Sequence, residues 1–352
     1  MMHFPSWKRF ANTAVIKMTK VYLNNELSNE KYHADTDYIN GSSLWNILDR
    51  CPAAWRHKDE DADEPSKALV FGTGSHTCLL EPERFAAEYA RMPSVDDYPK
   101  DKDGNKTILV TAIDMNSWAK ERGIKGLSGK PKAEVIKIIR ATGEPVRIYD
   151  EERQMVEDSN KGKSILEARD FDAIQQMRAV IFANSYYSDL LHGAYSEVSI
   201  FGELPPRYYG QEGKKGKDEP GLKAKVRFDI LTKWGDIIDY KSTVSCKPVE
   251  FFNTCVRLGY FMKMAMQHDL FVEAYGHPPR SVCLLPQEKR SPHIPELFRL
   301  TEEQLKIGRI QLINAATIFK SCKSAGAWPT YGGGNPVIEM DTPEWFKKQF
   351  NL

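Results

Sequence analysis

The sequence is poor in the features that define several large classes of protein. No hydrophobic run approaches the roughly 20 residues that span a bilayer, so no membrane-spanning helix is predicted. Six cysteines in 352 residues are too few for a disulfide scaffold, and none forms a Cys-x-x-Cys pair. The 49 basic and 48 acidic residues leave a net charge of +1, which excludes a nucleic-acid binder of the histone kind. Reduced thiols in a cytoplasmic protein are therefore the expectation.

The length and composition allow one elaborate domain or two ordinary ones, since 41% of the 352 residues are hydrophobic. Residues 1–21 contain too short an apolar stretch for a secretory signal, and we predict a leader or mobile arm there. The remainder, 22–352, is predicted to be a single domain. Within it, 22–192 is mainly helical, 193–300 forms a sheet, and 301–352 holds a C-terminal helix and a tail.

Helical spacing of apolar residues is clear in several segments. A helix is predicted around Leu44, with Ser42 or Ser43 as its N-cap. A long helix is predicted over about 249–274. The sequence Thr301-Glu-Glu-Gln304 matches a capping box, which predicts the start of another helix.

Strand patterns dominate the segment between these helices. The runs Glu197–Phe201, Val226–Thr232 and Asp236–Lys241 each fit a strand, and Trp234-Gly235 predicts the turn between the last two. A further strand is predicted over 281–285. The order predicts a mixed α/β fold with a sheet rich in antiparallel pairs.

Two aspartates and a lysine interrupt the apolar strands. Asp239 and Lys241 are two residues apart and so share a face, and Asp229 can approach them across the turn. Buried carboxylates are costly unless they are paired or bind a cation, and carboxylate oxygens suit Mg²⁺ or Mn²⁺. The alternative is a solvated pair on an edge strand. The isoleucines beside these residues favour a buried sheet.

These residues are part of a pattern that extends along most of the chain. Its other elements are Leu27-Ser-Asn-Glu-Lys-Tyr-His-Ala34, Ser42-Ser-Leu44, Phe71-Gly-Thr-Gly-Ser-His76, Leu80-Glu-Pro-Glu83, Glu197-Val-Ser-Ile200, Arg227-Phe-Asp229, Asp239-Tyr-Lys241-Ser-Thr243 and Ala327-Trp-Pro329. With them the chain resembles the RecE-type exonuclease (exonuclease VIII) family of the PD-(D/E)XK nuclease superfamily. The resemblance implies an α/β fold: a restriction-endonuclease-like core with a mixed, antiparallel-rich sheet between helices, and an N-terminal helical elaboration.

The resemblance also implies a set of site residues and a cofactor. The catalytic residues would be Lys241, Asp239, Asp229 and Glu197. The ligands of a Mg²⁺ ion, for which Mn²⁺ would substitute, would be His76, Asp229, Asp239 and the main-chain carbonyl of Tyr240.

Two features of related nucleases are altered in this sequence. Where such nucleases often have Gln-x-x-x-Tyr after the lysine strand, this chain has Lys263 and Gln267, and Lys263 is either a phosphate contact or a solvated residue. Some relatives hold an iron–sulfur cluster through one early and three late cysteines. Here Cys51 resembles the early one but only Cys322 lies near the end, so we predict no cluster and a core position for Cys51.

Basic residues before the Asp229 strand are candidates for DNA contacts. Arg227, Lys223, Lys225 and Lys263 are the predicted DNA-binding residues, and Lys214, Lys215 and Lys217 are either further contacts or a solvated loop.

The expected function is a Mg²⁺-dependent exonuclease on double-stranded DNA ends. The resemblance implies 5′-to-3′ polarity, a 3′ single-stranded product for a RecT-like annealing protein, a homo-oligomeric ring, and a bacterial, phage or prophage gene. The alternatives are a PD-(D/E)XK nuclease with another end or strand preference, and a DNA-binding module of the same fold without catalysis.

Overall fold

A computed structural model describes residues 19–23, 26–57, 66–127, 129–205 and 221–351. In chain order the elements are β1 (Lys20–Tyr22), α1 (Asn29–Ala34), α2 (Gly41–Asp49), α3 (Pro52–Arg56), α4 (Lys67–Leu80), α5 (Pro82–Glu88), β2 (Tyr89–Arg91), β3 (Ile108–Leu109), α6 (Ala112–Glu121), α7 (Lys132–Ala141), β4 (Arg147–Ile148), α8 (Tyr149–Ser159), β5 (Ser164–Leu166), α9 (Ala168–Ala183), α10 (Ser185–Leu191), β6 (Tyr195–Leu204), β7 (Leu222–Leu231), β8 (Asp236–Thr243), α11 (Pro248–Arg257), α12 (Tyr260–Tyr275), β9 (Ser281–Glu288), β10 (Phe298–Arg299), α13 (Glu302–Ala325) and α14 (Glu344–Lys347).

The described residues form two compact units. One unit comprises the described parts of Met1–Ser66, Ala183–Glu288 and Ile294–Leu352, and the other comprises Lys67–Phe182 with Lys289–His293. A single domain over 22–352 stays a prediction. Of the predicted leader, residues 1–18 lie outside the described part of the chain, and its last two residues belong to β1.

The first unit contains a six-stranded sheet in the order β1-β6-β7-β8-β9-β10. Strands β6, β7 and β8 form the predicted antiparallel meander, and β1 pairs antiparallel with β6. Strand β9 pairs parallel with β8 along its whole length, from Asp236↔Ser281 to Thr243↔Glu288. The prediction of a mixed, antiparallel-rich sheet is therefore confirmed.

Helices cover the sheet and supply most of the core of this unit. Ten of the sixteen residues of helix α12 are buried, and its apolar side chains pack with those of β6, β7 and α13 in one cluster. The capping box at Thr301 is confirmed, because its hydroxyl accepts from the Gln304 N–H and the Gln304 side chain accepts from the Thr301 N–H. Helix α13 ends at Ala325, before Gly326 in a left-handed conformation.

The prediction of one helix over 249–274 is wrong. The chain forms α11 and α12 there, and the break lies at Leu258 and Gly259, where Gly259 has a φ of +65°. The predicted cap of α2 is also wrong. Asn40 is the N-cap, because its side-chain oxygen accepts the Ser43 N–H at 2.8 Å, and Ser43 lies inside the helix.

The glycine between α11 and α12 makes a testable contribution to stability. A Cβ on Gly259 would lie 2.1 Å from the Trp45 ring, whereas one on Gly276, at the other end of α12, would meet nothing within 4 Å. Both positions have positive φ, at +65° and +74°. We expect Gly276→Ala to lower the free energy of unfolding by about 1 kcal/mol. Gly259→Ala should cost about 2–3 kcal/mol more, because of the overlap with Trp45.

Urea unfolding followed by circular dichroism measures the difference between these matched variants. Equal shifts of the unfolding midpoint would show that Trp45 does not restrict this position.

The second unit is built around helices α4–α9. Two short parallel strand pairs, β2 with β5 and β3 with β4, accompany the helices. Residues of α6, α7 and β4, among them Met115, Ile139 and Ile148, form a fully buried cluster. Within the described ranges, no helix of either unit is both long and apolar enough to cross a bilayer.

Candidate active site

The two aspartates lie where neighbouring strands separate. The antiparallel ladder between β7 and β8 consists of the pairs Leu231↔Ile237 and Ile230↔Ile238. At the next position the Tyr240 N–H donates to Asp229 Oδ2 at 2.8 Å, so a carboxylate takes the place of a main-chain acceptor. Because β8 continues to pair with β9 beyond this point, the separation opens on the β7 side and leaves both aspartates at its start.

Lys241 joins the two aspartates, as the sequence predicted. Its Nζ contacts Asp239 Oδ2 directly and lies 3.8 Å from Asp229 Oδ2. It also donates to the Tyr240 main-chain oxygen at 3.2 Å, so that carbonyl faces the same group. The side chains of Asp229 and Asp239 are only 12% and 11% exposed, whereas that of Lys241 is 28% exposed and remains accessible.

The charge state of Lys241 reflects two opposing effects. Burial disfavours its ammonium group, but the carboxylates of Asp239 and Asp229 outweigh this and raise the pKa of Lys241 above its usual value. A divalent cation on the same carboxylates would compete with this ammonium for them.

Glu197 lies on β6, opposite Asp229 in the sheet. It has a φ of +52°, and it falls between the ladder pairs Ser196↔Ile230 and Val198↔Phe228. One carboxylate oxygen of Glu197 lies within 4.8 Å of a carboxylate oxygen of Asp229. Positive φ at a residue other than glycine costs energy and is concentrated at functional sites. The sheet is thus distorted where these two acidic side chains meet.

Oxygen atoms that could bind a small, hard divalent cation lie close together here. Asp229 and Glu197 have carboxylate oxygens within 4.8 Å of each other, and the Asp239 carboxylate and the Tyr240 carbonyl approach Asp229 around the ammonium of Lys241. Such oxygen ligands suit Mg²⁺ and Mn²⁺ better than softer metals. His76 is a half-buried residue of α4 in the second unit, and its role as a ligand stays a prediction.

Helix α12 lines the other wall of the site. Tyr260, Lys263 and Gln267 are spaced by three and four residues, so they share one helical face, and they line a pocket of about 220 Å³ together with Asp239 and Lys241. Gln267 Nε2 donates to Asp239 Oδ1 at 3.4 Å. The comparison with the Gln-x-x-x-Tyr motif predicted Lys263 and Gln267 but not Tyr260. The helical spacing of Tyr260 from Lys263 could have indicated it.

The Tyr260 ring lies between two lysines. The ammonium groups of Lys241 and Lys263 are 5.7 and 5.6 Å from its centroid, within the range of cation–π attraction. Burial raises the pKa of Tyr260 to about 12, so its hydroxyl keeps its proton. Burial and the positive charge of Lys241 lower the pKa of Lys263. An anion in the pocket would relieve the repulsion between these lysines.

Lys263 can be tested without disturbing the packing of its aliphatic chain against Gly41. We expect Lys263→Met to weaken DNA binding and to reduce the slope of log affinity against log salt by about 1, the change for one lost phosphate contact. Mg²⁺ affinity should change little. The measurement is fluorescence anisotropy with labelled DNA at several salt concentrations, and Lys263→Arg should retain the slope. An unaltered slope in Lys263→Met would show that Lys263 makes no phosphate contact.

The other predicted DNA-binding residues are placed differently. Lys225 is buried, and its ammonium donates to the main-chain oxygens of Tyr32 and Asp35. Arg227 lines the pocket, but it donates to Ser199 Oγ at 2.8 Å and its guanidinium stacks over Tyr32 at 4.2 Å.

Lys223 is exposed, 4.0 Å from Asp37. DNA contacts by Lys223, Lys225 and Arg227 stay predictions. The geometry favours such a contact least for Lys225, whose ammonium is buried. Lys214, Lys215 and Lys217 lie outside the described residues.

The cysteines are buried free thiols throughout. Cys51 lies in the core, as predicted, and its sulfur caps α3 by accepting the Ala54 N–H.

Comparison with known proteins agrees with this architecture. Residues 41–339 match the model of a family described as a PDDEXK-like domain of unknown function (DUF3799). The chain therefore belongs to this family, and the predicted PD-(D/E)XK relationship is confirmed. No curated protein matches the chain.

Solved structures share the fold at low sequence identity. A crystal structure from Eubacterium rectale, of a protein named provisionally as an exonuclease, is similar with a TM-score of 0.50 and 14% identity over 90% of this chain and 96% of that one. The crystal structure of SSO0001 has a TM-score of only 0.25 at 12% identity, over 62% of this chain and 78% of that one. The first likeness concerns the fold alone.

Proposed function

We propose that this protein is a divalent-metal-dependent deoxyribonuclease. The observation that carries the proposal is the contact of Lys241 with both Asp229 and Asp239 where β7 and β8 separate. Buried acids and a lysine that converge beside a pocket are characteristic of a catalytic centre rather than of a stabilising surface pair.

The proposed reaction is the hydrolysis of a phosphodiester bond. The oxygen of a water molecule bonds to phosphorus while the bond from phosphorus to one ester oxygen breaks; the water releases a proton, and the leaving oxygen takes one up. A bound Mg²⁺ would neutralise phosphate charge and lower the pKa of a bound water.

The side chains have separate roles in this scheme. Asp229, Asp239 and Glu197 would hold the cation, with the Tyr240 carbonyl as a further ligand. Lys241, whose side chain is partly exposed to the pocket, would bind the scissile phosphate or orient the water. Gln267 would keep the Asp239 carboxylate in place through its hydrogen bond.

We further propose that the substrate is the end of a DNA duplex, degraded 5′-to-3′. The motifs shared with RecE-type exonucleases support this, and the name of the structurally similar protein from Eubacterium rectale supports exonuclease activity alone. The product would then be a 3′ single strand for a RecT-like annealing protein. A homo-oligomeric ring would keep the enzyme on DNA between cuts, and native mass measurement at micromolar concentration tests that assembly.

Digestion of linear and closed circular duplexes with the same sequence separates the candidate functions. An exonuclease degrades only the linear form in Mg²⁺, and a label on one 5′ or 3′ end reports the polarity. Cutting of the circle would indicate another PD-(D/E)XK nuclease specificity. Binding to both forms without hydrolysis in Mg²⁺ or Mn²⁺ would support the non-catalytic module and contradict the proposal.

A further inference from the structure

A second, larger pocket adjoins the active-site pocket in the first unit. Its volume is about 630 Å³, and His33, Asn40 and Lys225 line both pockets. The two cavities therefore lie side by side and share a wall. No role in the proposed reaction uses the residues specific to this larger pocket, which we call the flanking pocket.

The flanking pocket has an excess of positive charge. Its cationic lining residues are Arg56, Lys223, Lys225, Lys320 and Lys323. Its acidic ones among the described residues are Asp35 and Asp37, so five positive and two negative groups leave a net charge of +3 for the described part of the lining. Because the whole chain has a net charge of only +1, this excess is a local property of the pocket.

The cations differ in what they can contact. Lys225 is buried against main-chain oxygens, so it contributes charge but no direct contact. Lys320 and Lys323 are three residues apart on α13 and so share a helical face, and Arg56 ends α3 on an exposed position. Arg56 and Lys323 are exposed on two elements and accessible to a ligand, and Lys320 lies half-buried beside Lys323.

Aromatic rings form part of the same lining. Tyr38 and Trp55 are partly exposed there, and each is held in place by a ring behind it. Phe201 lies 5.1 Å from Tyr38 in an edge-on contact, and Phe319 lies 5.1 Å from Trp55 in a similar one. Rings fixed in this way can stack with a planar ligand at low entropic cost.

We propose that the flanking pocket binds single-stranded DNA that continues from the active site. Interleaved cations and aromatic rings are the arrangement that proteins use for single strands, because phosphates meet the cations and unstacked bases meet the rings. In a duplex the bases are stacked inside and cannot reach such walls. This inference rests on the proposed function, which gives the direction of the strand. The contacts of the pocket with the strand would be independent of base sequence.

Binding in EDTA tests the inference without hydrolysis. The probes are a labelled 20-nucleotide single strand and the blunt duplex of the same sequence, measured by fluorescence anisotropy over a salt series. The variant is Lys320→Gln with Lys323→Gln, and the control is Lys247→Gln with Lys306→Gln, which removes two charges from exposed residues outside both pockets.

We expect the pocket variant to bind the single strand about tenfold more weakly or worse. The slope of log affinity against log salt should become shallower by about 1.4, which corresponds to two phosphate contacts on a single strand. Duplex affinity should fall less, and the control should behave as the wild type. Wild-type single-strand affinity in the pocket variant, an equal loss in the control, or an equal loss for the duplex would each overturn the inference.

A parallel assay of hydrolysis in Mg²⁺ separates this inference from the proposed function. If the wild-type protein fails to hydrolyse DNA, the nuclease proposal fails while the binding result still decides the role of the pocket. If the wild-type protein cuts DNA and the pocket variant binds the strand normally, only the pocket inference fails. Circular dichroism confirms that each variant is folded.

Discussion

Replacing Asp239 by Asn should reduce DNA hydrolysis in Mg²⁺ on the order of 10³-fold, the scale of losing one preorganised electrostatic group. The substitution keeps the shape of the side chain but removes a negative charge from the proposed cation site. Mg²⁺ affinity should fall as well, because the partner of Lys241 is then neutral and the ammonium repels a cation. Single-turnover hydrolysis and calorimetric titration of Mg²⁺ measure the two effects.

A matched control is available on the same strand. Asp236 lies three residues before Asp239 and so faces the other side of the sheet, where Thr232, Arg280 and Ser281 donate to it. Asp236→Asn should lower the melting temperature but leave hydrolysis in the folded protein close to wild type. Hydrolysis by Asp239→Asn at near the wild-type rate would refute the proposed site.

Replacing Lys241 by Gln should reduce hydrolysis about as much as Asp239→Asn does. Its effect on metal binding should be the opposite. The ammonium contacts the carboxylates that would hold the cation, so its loss removes a competitor. We therefore expect Mg²⁺ affinity to stay the same or to rise. Without metal, the carboxylates lose their positive partner and the variant should melt at a lower temperature, which Mg²⁺ should restore.

The control for this variant is Lys247→Gln, which removes the same charge from an exposed position near the end of β8. It should alter neither Mg²⁺ affinity nor the rate of hydrolysis. If Lys241→Gln weakened Mg²⁺ binding as strongly as Asp239→Asn does, the lysine would be part of the metal site rather than a group that acts on the phosphate or the water.

The predicted and observed positions of the side chains agree where the interactions are local. Asp239 and Lys241 share a face because strand side chains alternate, and Asp229 is their neighbour because a short turn joins the two strands. The capping box at Thr301 is predictable for the same reason, since both of its partners lie within one helical turn.

The largest error, the single helix over 249–274, occurs where a distant part of the chain decides. A helix over 249–274 is consistent with the apolar spacing, but Gly259 adopts a left-handed conformation against Trp45, more than 200 residues earlier. The position of Lys225 is also decided from a distance, because its ammonium donates to the main-chain oxygens of Tyr32 and Asp35, about 190 residues earlier, while its DNA contact stays a prediction.

The sequence by itself determined the class of fold and the convergence of Asp229, Asp239 and Lys241. Hydrophobic alternation and turn residues act over a few positions, so they can be recognised from the sequence alone. Only the tertiary structure decided the distorted backbone at Glu197, the hydrogen bond from Gln267 to Asp239, and the flanking pocket beside the site. These features depend on which distant elements pack together, because burial and charge pairing are properties of the packed chain and not of any one segment.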